Sequence, residues 1–112
     1  MSKVGKIVLV PFPFTDLSGE KVRPALVLAD DDKDADFLVC FITTVVSKKE
    51  KYGVVISKED IHFKKTGLKA TSVIRVSKIA TLDKKVALGE IGELDIKKIQ
   101  QVRKALREYL QV

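Results

Sequence analysis

Arg23 stands directly before Pro24 and the apolar run Ala25-Leu26-Val27-Leu28. A residue that precedes proline is steered toward extended backbone, which sets this guanidinium at the head of a strand. There its planar fork of N–H donors suits a two-point grip on phosphate oxygens, as it also suits an ion pair with a nearby acid such as Glu20 or Asp16. Upstream lie Phe12 and Phe14, followed by Ser18 and Gly19. Such rings can stack on unpaired bases, a contact worth about 1–3 kcal/mol per base, or pack against the domain or a second copy. Further along come the pair Thr43-Thr44, the basic residues Lys48, Lys49 and Lys51, and Arg75 two positions before Ser77. All are residue types that bind anions, although a threonine at a strand end also reflects plain β-propensity.

Other chemistries find few residues to work with. The single cysteine, Cys40, excludes an internal disulfide, and one cysteine with one histidine, His62, falls short of the four ligands of a structural zinc site. No Cys/His catalytic pair can be argued from them. Cys40 lies in an apolar run and reads as a small core residue, and His62 as a solvated loop residue within a lysine-rich segment. No stretch approaches the roughly 20 apolar residues of a membrane helix, so a soluble, cytoplasmic protein without membrane contact is expected.

The charge is unevenly spread. The 112 residues carry a formal charge of +6. Residues 1–35 hold five bases and six acids, whereas residues 47–85 hold eleven bases against four acids. An anion would be drawn to the surface built by the middle of the chain; a solvated lysine-rich face is the plainer reading.

The elements that must position these groups follow from hydrophobic pattern. Ile7–Val10 is a β-branched run stopped by Pro11-Phe12-Pro13. A second strand follows Arg23, with Pro24 at its start where a missing donor is tolerated, and four aspartates between Asp30 and Asp34 end it. Phe37–Ile42 and Gly53–Ile56 give two more. Ser57-Lys58-Glu59-Asp60 has capping-box spacing, with Asp in the Glu position, and can open a helical turn. Ser72–Ser77 and Ile79–Leu82 supply one or two further strands, and Gly89 and Gly92 bracket a short linker. The last twenty residues change period: Ile96, Ile99, Val102, Leu106, Tyr109 and Leu110 recur at three to four, with Asp95 as N-cap. The segments between the first strands are too short, or lack the helical period, for parallel crossovers. One domain spanning residues 1–112 is expected, mainly β and antiparallel, a small partly closed SH3-like barrel with a C-terminal helix packed on it.

The segment Ile7-Val8-Leu9-Val10-Pro11-Phe12-Pro13-Phe14-Thr15-Asp16, a glycine-containing loop, and then Lys21-Val22-Arg23-Pro24-Ala25-Leu26-Val27-Leu28 resembles the N-terminal half of the PemK/MazF toxins. Ile42-Thr43-Thr44, Gly67-Leu68 before Ser72-Val73-Ile74, and Thr81-Leu82-Asp83 agree in order, so the resemblance covers nearly the whole chain. It implies a homodimer of SH3-like barrels that cuts single-stranded RNA without a metal or cofactor and is silenced by an acidic antitoxin segment.

Cutting RNA through its own 2′-hydroxyl requires in-line placement of the phosphodiester, removal of the 2′-proton, charge stabilisation on the phosphorane and a proton for the leaving oxygen. The resemblance assigns catalysis to Arg23 and to Thr43, the family-matched hydroxyl; Thr44 is the alternate, since successive strand residues face opposite ways. A guanidinium stays protonated at neutral pH, so Arg23 reads as an electrostatic clamp and the base is unassigned. RNA contact is expected from Phe12, Phe14, Ser18, Arg75, Ser77, Lys48 and Lys49. Some branches of the family carry an acid two residues after the later arginine, where this chain has Ser77. That departure opens a second reading, a binding module: an RNA-binding barrel without catalysis, or a toxin acting on a protein target as the similarly folded CcdB toxins act on gyrase.

Overall fold

The computed structural model describes residues 2–11, 21–46 and 50–112. Six strands form one sheet: β1 (Lys6–Pro11), β2 (Val22–Asp30), β3 (Asp36–Thr43), β4 (Gly53–Ile56), β5 (Ser72–Asp83) and β6 (Gly89–Glu93), followed by helix α1 (Ile96–Leu110). The spatial order is β4-β5-β3-β2-β1-β6 and every pairing is antiparallel, giving a half-barrel closed on one side by α1.

Strand alternation divides the apolar residues between two faces. One face buries Ile7, Leu26, Cys40, Ile42, Ile74 and Val76 with Val102 of α1. The other buries Val8, Val10, Ala25, Val27, Val39 and Phe41. Full burial of a Val, Leu, Ile or Phe side chain contributes about 1.5–3 kcal/mol, and a one-residue slip of a strand would turn its buried residues to the opposite face. Two irregularities bend the sheet. Val27 pairs with Val39 and Ala29 with Leu38, leaving Leu28 as an extra residue in β2. Cys40 pairs with Ile79 but Phe41 with Arg75, so residues 76–78 of β5 stand outside the ladder with β3.

That second irregularity resolves the choice between one strand and two after Ser72: the chain runs as a single strand to Asp83. The Ser57–Asp60 spacing makes a turn instead of a helix. Asp60 N–H donates to the Ser57 carbonyl at 2.9 Å, the Ser57 hydroxyl accepts from Glu59 N–H, and a 3₁₀ turn follows only at Phe63–Thr66. The expected linker between Gly89 and Gly92 is in fact β6, paired with β1. Glycine was the misleading signal there, for Gly92 is small because β6 passes close to the 3₁₀ turn: a Cβ on it would overlap the backbone of Lys65 and Thr66.

α1 begins as expected, with the Asp95 carboxylate accepting from Lys98 N–H at 3.4 Å. It docks through Val102, Ile99, Ala105 and Leu106 and through Tyr109, whose ring meets Tyr52 edge-on at 5.2 Å. Lys98 Nζ donates to the Val55 carbonyl at 2.9 Å, engaging one backbone acceptor of the edge strand β4.

Candidate active site

β2 and β3 form a hairpin whose turn carries the aspartates, and the candidate residues lie at its other end. Ala25 pairs with Phe41; extending that register by two residues sets Arg23 across from Thr43. On their outer flanks Arg23 pairs with Val10 of β1 and Thr43 with Val73 of β5. Alternation puts Arg23, Thr43, Val73 and Arg75 on the face that carries Val10, Ala25 and Phe41.

Arg23 is exposed and Thr43 partly buried. Thr43 Oγ1 accepts from Val45 N–H at 3.1 Å, which turns the chain as it leaves β3. Acceptance occupies one lone pair and leaves the hydroxyl proton free to donate. Thr44 is exposed and lies on the opposite parity.

Both Arg23 and Thr43 line a cavity of about 290 Å³. Leu9, Pro24, Ile42 and Thr44 also line it from the strand side of the sequence, and Gly67, Leu68 and Lys69 line it from the segment between the 3₁₀ turn and β5. That segment is held by buried Thr66 and Ser72. Thr66 Oγ1 donates to the Phe63 carbonyl at 2.6 Å and accepts from Leu68 N–H, while Ser72 Oγ donates to the Ala70 carbonyl at 2.8 Å. Gly67 ends the 3₁₀ turn at φ 72°, a conformation that favours glycine.

Arg75 pairs with Phe41 and Gly53, one row from Thr43, and its Nε donates to Glu50 Oε2 at 2.9 Å. It lies outside the cavity lining but on the same face as Thr43. Ser77 falls in the unpaired stretch of β5. Phe12, Phe14, Ser18, Lys48 and Lys49 lie outside the described residues. Sequence reasoning did not single out Glu50 or include Lys69 among the site residues. The signal for Lys69 was its place just after Gly67-Leu68; that for Glu50 was a lone acid among lysines.

Neither Cys40 nor His62 lines this cavity. Burial pushes the Cys40 thiol up to about 12. Half-buried His62 sits in the 3₁₀ segment, away from Arg23 and Thr43. Among the described residues no group of three or more His, Cys, Asp or Glu side chains is gathered for a metal ion.

The family model for the PemK-like, MazF-like toxins of type II toxin-antitoxin systems matches residues 3–110. The chain belongs to this family. No curated protein matches it by sequence, but solved structures share its fold. An endoribonuclease from a mycobacterial species, solved with its cognate antitoxin, superposes with a TM-score of 0.78 at 17% identity, covering 100% of this chain and 97% of that one. The MazE-MazF complex from Deinococcus radiodurans gives 0.77 at 22% identity, covering 99% and 97%. The Mycobacterium tuberculosis toxin MazF-mt6 gives 0.75 at 19%, covering 96% and 97%. The half-barrel with its C-terminal helix is thus the fold of MazF toxins, and Arg23 and Thr43 stand at one end of its sheet.

Proposed function

We propose that this PemK/MazF-family chain is an endoribonuclease toxin that cuts single-stranded RNA through the RNA's own 2′-hydroxyl, inhibiting translation and growth. The observation that carries the reading is that Arg23 and Thr43, at the same end of the β2–β3 hairpin, line one cavity. A phosphodiester lying over this end of the hairpin meets a fixed cation from β2 and a hydroxyl donor from β3. As the 2′-oxygen attacks phosphorus and the bond to the 5′-oxygen breaks, negative charge grows on the non-bridging oxygens. Arg23 stabilises that charge, Thr43 donates to one of the same oxygens, and both are held by strands instead of ordering only in the transition state. Arg75, on the same face, serves a neighbouring phosphate.

The test is incubation of folded protein with mixed-sequence single-stranded RNA in EDTA. Discrete fragments ending in cyclic phosphate are expected, and RNA bound at low salt without cutting would support the non-catalytic alternative. The partners proposed with this activity are a second copy of the chain and an acidic antitoxin segment that folds across the basic face. Val45, Val46 and Val55 are exposed on the β3–β4 side, at 72%, 64% and 47%, and offer apolar surface for the second copy. Light scattering on the purified chain should return twice its monomer mass.

A further inference from the structure

Glu50 is the one acid between Lys48 and Lys51, yet its side chain is only 12% exposed. It reaches Arg75 across Gly53, the residue paired with Arg75 on β4. A Cβ at Gly53 would stand 2.8 Å from Glu50 Cγ and 2.9 Å from Val73 Cγ1. The missing side chain therefore leaves the gap through which the carboxylate passes to Arg75 Nε, 2.9 Å away.

This contact fixes one edge of the guanidinium and leaves the other. Of the five N–H donors of an arginine, the Nε–H faces Glu50, and the two Nη groups form the remaining edge. Arg75 sits diagonally from Thr43, through the pairs Phe41–Arg75 and Thr43–Val73. Diagonal neighbours on one face are about 7–8 Å apart, within reach of an arginine side chain. Ser77, two residues on, brings no carboxylate and stands in the unpaired stretch of β5. The acid comes instead from the segment that joins β3 to β4.

We propose that Glu50 is a positioning residue that orients Arg75 so that its Nη edge meets the RNA phosphate adjacent to the one held by Arg23 and Thr43. The inference rests on the RNA-cutting reading above. Because the side chain is ordered when the protein folds, RNA binding does not bear that ordering cost again.

The experiment uses an RNA oligonucleotide that the wild type cuts and its 2′-deoxy analogue, which binds without being cut. Single-turnover cleavage, analogue affinity and melting temperature are measured for wild type, Glu50→Gln, Glu50→Asp, Arg75→Ala and the double variant Glu50→Gln/Arg75→Ala. Glu50→Gln is expected to slow cleavage at saturating RNA by about tenfold to a hundredfold, the loss that follows small misplacement of a catalytic constellation. Analogue affinity should hold or rise, because removing a negative charge strengthens attraction to phosphate. Glu50→Asp should give an intermediate rate, and Glu50→Gln should add nothing once Arg75 is alanine. Wild-type cutting by Glu50→Gln, or an equal further loss in the Arg75→Ala background, overturns the proposal alone. If Glu50→Gln melts early, Glu50→Asp decides: a wild-type rate overturns it. A wild type that neither cuts nor binds RNA overturns the reading of function and this inference together.

Discussion

Arg23 and Thr43 each stand two residues beyond the Ala25–Phe41 pair that ends the β2–β3 ladder, at the end of the hairpin remote from its turn. The outer strands fix both, since Arg23 pairs with Val10 and Thr43 with Val73. Two residues twenty positions apart in sequence thus share one cavity rim. Arg23→Ala is expected to lower RNA cleavage by about 10²–10³-fold, the usual loss for one preorganised donor to a developing oxyanion, with the circular dichroism spectrum unchanged. Thr43→Val should lose both the hydroxyl donor and the 3.1 Å acceptor for Val45 N–H, whereas Thr43→Ser keeps both. Cleavage near the wild-type rate by Thr43→Val would remove Thr43 from the site.

Gly67 is where the cavity wall is most sensitive to a single methyl group. Its φ of 72° disfavours any Cβ, and that Cβ would overlap the Ile91 carbonyl oxygen on β6. Left-handed strain and overpacking together should cost about 2–4 kcal/mol. Urea unfolding of Gly67→Ala should show a lower midpoint with an unchanged slope.

Acid and base should each weaken the fold through one pair. Lys84 Nζ lies 2.6 Å from Asp30 Oδ1, on a carboxylate only 2% exposed, and Lys3 N–H donates to Oδ2 at 2.7 Å. The Lys84 ammonium first, and then the Lys3 N–H, hold the Asp30 carboxyl below its ordinary 3.8, and Asp30 in turn raises Lys84 above 10.5. The Asp30 contribution is present above pH 3.8 and lost as pH falls through its lowered folded value. The Lys84 contribution is complete below pH 10.5 and lost as pH rises through its raised value. Lys84→Met strands a buried acid, so its melting temperature should fall at neutral pH and its acid limb should move to higher pH. Melting curves from pH 2 to 11 check both limbs.

Cys40 is fully buried, and its thiol is raised to about 12 by desolvation. The thiolate is the reactive form. An aromatic disulfide reagent at pH 8 should therefore label no thiol in the native chain and one per chain in denaturant.

Most of the fold was legible because its strands alternate or run apolar: Gly53–Ile56 has the bounds its residues predict, and Asp95 caps the helix as its type suggests. The errors share a cause. Gly89 and Gly92 look like breakers, yet Gly92 is small to let two backbones approach, a tertiary demand invisible along the chain. Ser57–Asp60 has helix spacing but spends its side chains on local turns. Arg23 and Thr43 were proposed from type, neighbours and family resemblance, and the fold brings both to one cavity. The Glu50–Arg75 contact was not legible, for it depends on a gap at Gly53 and on the register of β4 against β5.

The pairing of β1 with β6 joins residues 6–9 to residues 89–93, and this has a kinetic consequence. Closing a loop of that length is slow compared with forming the β2–β3 hairpin. As the chain is synthesised, Arg23 and Thr43 can face each other soon after β3 emerges, while β1 keeps an open edge until Glu93 has left the ribosome. The order of synthesis therefore sets an interval in which the proposed site exists on an incomplete sheet, and aggregation through that edge competes with completion of the fold.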